Sequence, residues 1–188
     1  SISQDGRYVV FASGASNLVP NDNNGNSDIF VRDRQLKTTT RVSVSSTGQE
    51  GNSSSYYPSI SQNGRYVSFI SSASNLVPSD INGSWDIFVY DRQNKVIMRA
   101  SVNSWNQGGN NSANSPSPRN NSISADGRYV IFESEATNLV PGDTNGYWDI
   151  CVRDLQNYYP PGISSYGSAC LGSIGLPRIF ADAEPKVG

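Results

Sequence analysis

The chain has 188 residues, 36% of them hydrophobic, many Ser, Asn and Gly, and a net charge of −2 with a pI near 5.0. That balance excludes the basic face a nucleic-acid partner demands, and no apolar run approaches the length of a membrane-spanning helix. Histidine is absent, which excludes Ser-His-Asp and Cys-His nucleophilic sites and His-ligated metals within the chain.

Two phrases recur in one register. Gly6-Arg7-Tyr8-Val9 returns at Gly64 and Gly127, and Asn17-Leu18-Val19-Pro20 returns at Asn75 and Asn138. The spacing from Gly6 to Gly64 is 58 residues and from Gly64 to Gly127 is 63. Two markers in step over three copies define a repeat protein, with repeats over about 1–58, 59–121 and 122–161.

Each repeat reads as four short strands. The first is Ser1–Ser3, Ser59–Ser61 or Ser122–Ser124, closed by an Asp-Gly or Asn-Gly turn that suits a two-residue hairpin. The second, Arg7–Ser13, Arg65–Ser71 or Arg128–Ser134, is rich in aromatic and β-branched residues, as a strand buried on both faces should be. A long polar loop follows, then a third strand at Ile29–Arg32, Ile87–Tyr90 or Ile150–Arg153. The fourth is Thr38–Val44 or Val96–Val102; the third repeat shows no counterpart after Asp154. The expected fold is all-β, a partial β-propeller of repeated four-stranded antiparallel blades with the last one incomplete. Residues 162–188 differ in composition and read as a tail or the start of a further module.

The phrases SISQDGRYVVFAS, NLVPNDNNGNSDIFVRDR and TTTRVSV resemble TolB-type, WD-repeat-like propeller blades of bacterial secreted and surface proteins. The resemblance covers about Ser1 to Asp154. It implies a scaffold for protein or ligand contacts rather than an enzyme, placed outside the cell, at its surface or in the periplasm. Fewer than three full blades are short of a closed ring, and the chain starts inside a repeat. Those two facts predict a piece of a longer polypeptide, or copies that join through their open blade ends.

Function is expected on the face that carries the two long loops. The pattern D-x-N-G-x-x-D sets Asp22, Asn24 and Asp28, then Asp80, Asn82 and Asp86, then Asp143, Asn145 and Asp149 around a glycine turn. Such oxygen ligands suit Ca²⁺ as a structural ion; the same residues also suit turns closed by their own side chains. Trp85, Trp105, Trp148 and Tyr147, with Tyr56 and Tyr57, offer flat rings for a sugar, or packing between blades. Glycosylation sequons stand at Asn52, Asn82, Asn110 and Asn120. Arg7, Arg65 and Arg128 and the residues Asp33, Asp91 and Asp154 predict either rings of charge around an axis or ion pairs that hold neighbouring blades together. Cys151 replaces the Phe30 and Phe88 of the other repeats; it reads as a buried thiol or as one half of a disulfide to Cys170.

Overall fold

The computed structural model describes residues 1–113, 122–157 and the backbone of 168–171. Alternating β-branched and aromatic residues draw each repeat into an antiparallel sheet. The first sheet is β1 (Tyr8–Ser13), β2 (Asp28–Asp33) and β3 (Thr38–Arg41), with Ile2 bridged to Val9 at its free edge. The second is β4 (Ser55–Ile60), β5 (Tyr66–Ser71), β6 (Asp86–Asp91) and β7 (Val96–Arg99), in that spatial order. The third is β8 (Ser122–Ile123), β9 (Tyr129–Ser134), β10 (Asp149–Asp154) and β11 (Ser168–Leu171), again in order. There is no α-helix among the described residues; a single 3₁₀ turn covers Leu155–Asn157.

The sheets are blades stacked face to face. Period-2 alternation sends Val10, Ile29, Val31 and Val42 of blade one against Val67, Phe69, Phe88 and Ile97 of blade two. The opposite face of blade two, Ile70, Ile87, Val89 and Ala100, meets Val130, Phe132 and Cys151 of blade three. Each such side chain contributes about 1.5–3 kcal/mol when fully buried. Main-chain bonds also cross the joints: Gln4 N–H donates to the Gln62 carbonyl, and Gln62 N–H to the Ala125 carbonyl, both at 3.0 Å.

Several expectations are corrected. The third blade has a fourth strand after all: β11, from the segment read as a separate tail, pairs with β10 as β7 pairs with β6. The rest of the residues 158–188 lie outside the described ones. The Asp-Gly turn is not a two-residue hairpin. Ser3 N–H bonds to the Tyr8 carbonyl across four residues, and Gly6 alone takes positive φ, at 68°. Asp5 instead caps the turn, accepting from Ser3 Oγ at 2.6 Å and Arg7 N–H at 3.0 Å. Finally, the second strand is buried on both faces only in the middle blade; β1 and β9 each keep one face open.

The Arg–Asp pairs form within blades, not between them. Register sets Tyr8 opposite Asp33, so Arg7 reaches Asp33 across β1 and β2, at 2.8 Å. Arg65–Asp91 at 2.7 Å and Arg128–Asp154 at 2.8 Å repeat the geometry. Arg7, with the Leu36 and Gln35 amides, holds the Asp33 carboxyl down to about 2, outweighing what burial does to raise it.

Candidate functional site

The loops between the second and third strands bring the predicted acidic triads together. They also bring in a residue that the motif does not contain. In blade one the Arg41 guanidinium lies 3.0 Å from Asp22, 3.3 Å from Asp28 and 2.9 Å from Glu50. In blade two Arg99 lies 2.9 Å from Asp80 and 3.5 Å from Asp86. The register explains this: Arg41 stands opposite Phe30 and Arg99 opposite Phe88, at the end of the outermost strand, facing the loop.

Asn24 and Asn82 turn their amide nitrogens, not their oxygens, to the cluster. Asn24 Nδ2 donates to Asp28 at 2.9 Å and to the Gly51 carbonyl at 3.0 Å; Asn82 Nδ2 does the same to Asp86 and Gly109. Ser43 and Ser101 hydroxyls donate to Asp28 and Asp86, each at 2.5 Å. These first two loops therefore do not fit calcium. The cation the motif predicts is supplied from within the chain, and the ligand atoms are already committed.

Two carboxylates against one guanidinium leave negative charge in a buried place. Burial first, and then the neighbouring Asp86 charge, push the Asp80 carboxyl up to about 6 despite Arg99. Burial likewise raises Asp86 and Asp22. Asp33 is lowered by a bidentate partner, whereas Asp80 is raised because burial outweighs a cation that it shares with Asp86.

The third loop keeps part of this pattern. Asn145 Nδ2 donates to Asp149 at 3.2 Å, and Asn145 N–H donates to Asp143 at 3.4 Å. The register position of the arginine, however, holds Cys170, opposite Cys151. Cys151 is disulfide-bonded, and the sequence has no other cysteine than Cys170.

The aromatic candidates do not converge on one spot. Tyr56 and Trp85 lie 5.8 Å apart, centroid to centroid, and Trp85 is half-buried against the second joint. Trp148 is half-buried, while Trp105 and Tyr147 stand out into solvent, 68% and 63% exposed. Beside these loops runs a groove of about 770 Å³, bordered by Val77, Pro78, Ile81, Met98 and Arg99.

The described sequon amides are also engaged. Asn82 Nδ2 spends its donors as above, Asn52 Nδ2 donates to Ser74 at 2.9 Å, and Asn110 Nδ2 to Thr137 at 3.0 Å. Asn120 lies outside the described residues. The residues missed in the sequence are Arg41 and Arg99. A signal was there: in both complete repeats the arginine precedes by two the serine that binds the same carboxylate.

Fold and site together define a stack of propeller-type blades, the first two with acidic loops that hold an arginine of the same blade. No protein-family model matches the chain, and no curated protein does. Among solved structures it is similar to the β-propeller domain of the Trilobed protease from Pyrococcus furiosus, with 15% identity, 80% of this chain and 37% of that one covered, and TM-score 0.49. It is also similar to the tricorn protease, with 16% identity, 90% and 16% covered, and TM-score 0.48. TolB from Acinetobacter baumannii gives 15% identity, 94% and 43% covered, and TM-score 0.36. The chain spans less than half the length of each.

Proposed function

We propose that the chain is a non-enzymatic interaction module that works outside the cytoplasm, with the long-loop face as its contact surface. The observation that carries this reading is the contrast on that face. Its carboxylates are paired with Arg41 and Arg99, while Ile81 at 92% exposure, Trp105 and Tyr147 project from the loops. Exposed apolar and aromatic groups beside carboxylates that are buried and arginine-paired are the composition of a contact patch. The disulfide at Cys151 supports an oxidising compartment, whether extracellular, cell-surface or periplasmic.

A carbohydrate ligand is the second reading, favoured by the open rings of Trp105 and Tyr147 and by the Tyr56–Trp85 pair. A glycan array separates the two main readings. Reproducible binding that is lost in Trp105→Ala and Tyr147→Ala, with Trp85→Ala and Trp148→Ala as further probes, selects the carbohydrate. No glycan binding, with a partner interaction lost in Ile81→Ser and Trp105→Ala, selects the protein partner. Hydrolytic activity of the purified chain overturns both.

A further inference from the structure

Equivalent side chains change burial at the two ends of the stack. Ile60 and Ile123 are 6% and 7% exposed, but Ile2, their counterpart in blade one, is 54% exposed. Phe69 and Phe132 are buried, while Phe11 is only half-buried. At the other end Ile150 is 39% exposed where Ile29 and Ile87 are buried, and Ile131 is exposed where Val10 is buried. The leading face of blade one and the trailing face of blade three are thus the two halves of the joint already made twice inside the chain.

The joint has a specific latch. Tyr8 lies on Gly64 of the next blade so closely that a Cβ there would overlap its ring, and Tyr66 lies on Gly127 in the same way. At the first joint Arg92, which bonds to the Gly64 carbonyl, stacks over Tyr8 at 3.8 Å. Blade one carries the matching empty seat: Gly6, with Arg34 bonded to its carbonyl at 2.8 Å and nothing closer than 3.6 Å to an added Cβ. Blade three carries the matching ring, Tyr129, exposed and touched by Arg128 at 4.8 Å.

We propose that this chain associates head to tail with a second copy, Tyr129 of one copy seating on Gly6 under Arg34 of the other. Ile131 and Ile150 of the first copy then cover Ile2 and Phe11 of the second. The face is continuous in design with the two internal joints, which specifies its occupant. A head-to-tail contact closes into a ring when its rotation allows, and two copies of three blades supply six, within the four to eight of closed propellers.

Sedimentation equilibrium of the purified chain tests this. The expected result is a concentration-dependent rise from 20.3 kDa to twice that mass. Tyr129→Ala and Arg34→Ala each weaken association by about tenfold or more, as loss of a hot-spot contact does. Both residues are on the surface, and circular dichroism confirms that the variants fold. Mixing the two variants restores one intact joint and hence a heterodimer, an outcome that nonspecific aggregation does not give. A wild-type monomer at all concentrations, or association unchanged in Tyr129→Ala, overturns the proposal. Neither outcome bears on ligand binding by the loop face.

Discussion

The second and third blades tie down the same strand by different chemistry. In blade two Phe88 faces Arg99, and the arginine fastens β7 to the acidic loop. In blade three Cys151 faces Cys170, and a disulfide fastens the outermost strand instead. An outermost strand has a ladder on one side only, so it needs a second attachment. The comparison teaches that this attachment, rather than any one residue, is what the repeat preserves. It also gives the acidic loops of blades one and two a role: their carboxylates are the anchor for the strand's arginine.

Removing the arginine tests that view most severely. Arg99→Ala leaves Asp80 and Asp86 buried without their cation and is expected to cost about 3–5 kcal/mol in urea unfolding. Arg99→Met combined with Asp80→Asn and Asp86→Asn should recover most of the loss, since both sides of the pair are then neutral. A single-variant cost below about 1 kcal/mol would mean that the cluster anchors nothing. The covalent counterpart comes next. Reductant should lower the melting temperature of the wild type, equivalent to about 2–4 kcal/mol, and leave Cys151→Ser/Cys170→Ser unaffected. If reduction changes nothing, β11 is held by its ladder alone.

A smaller effect is expected at the joint between blades. Gly64→Ala places a methyl group against the Tyr8 ring at a φ of 71°, a combination expected to cost about 1–3 kcal/mol. Gly25→Ala has a similar φ of 67° but open space around it and should cost less. Equal costs would show that the ring contact contributes nothing.

The two kinds of carboxylate respond to pH with opposite signs. Asp80, raised to about 6 from an unfolded value near 3.9, favours the folded state most when protonated. Its contribution is complete below about pH 4 and fades as pH rises through 6. Asp33, lowered to about 2, contributes above about pH 4, and that contribution is lost as pH falls toward 2. Stability should therefore rise from pH 7 to about 4 and fall below it. Asp80→Asn should flatten the rise and keep the fall; a wild type already flat between pH 7 and 4 would refute the raised Asp80.

Calcium gives the smallest expected signal and sharpens the contrast between loops. Wild-type melting should shift by about 1 °C or less, since the first two clusters carry their own cation and a ligand stabilises only the fold it binds. Arg99→Ala should gain a calcium response. A large wild-type shift, abolished by Asp80→Asn, would reverse that assignment.

Much of the fold was legible because the repeats report on themselves. Ile29-Phe30-Val31 and its copies mark the central strand of each blade, and the Gly-Arg-Tyr phrase marks its neighbour. What stayed hidden has physical reasons. Ser168-Ala169-Cys170-Leu171 lacks the β-branched run of Val96-Ile97-Met98, so nothing local marks it as a strand. Arg41 and Arg99 follow the aspartates they serve by 13 to 19 residues and join them only through the register of two strands. The Asp-Gly turn misled because the aspartate side chain joins the backbone in closing a longer, four-residue turn. The acidic loops were found, but which atoms face inward is set by tertiary contacts such as Asn82 to the Gly109 carbonyl.

The run of main-chain bonds from Gln4 to Gln62 to Ala125 has a consequence for how such a chain changes over generations. Backbone N–H and C=O groups set the step from one blade to the next there, whatever side chain is attached: glutamine in two copies, alanine in the third. Those two bonds between blades do not depend on which side chain stands at the position, unlike the packed side chains that share the joint with them. Whole repeats can be duplicated or deleted with the pitch of the stack intact, so the natural unit of variation is the blade rather than the residue.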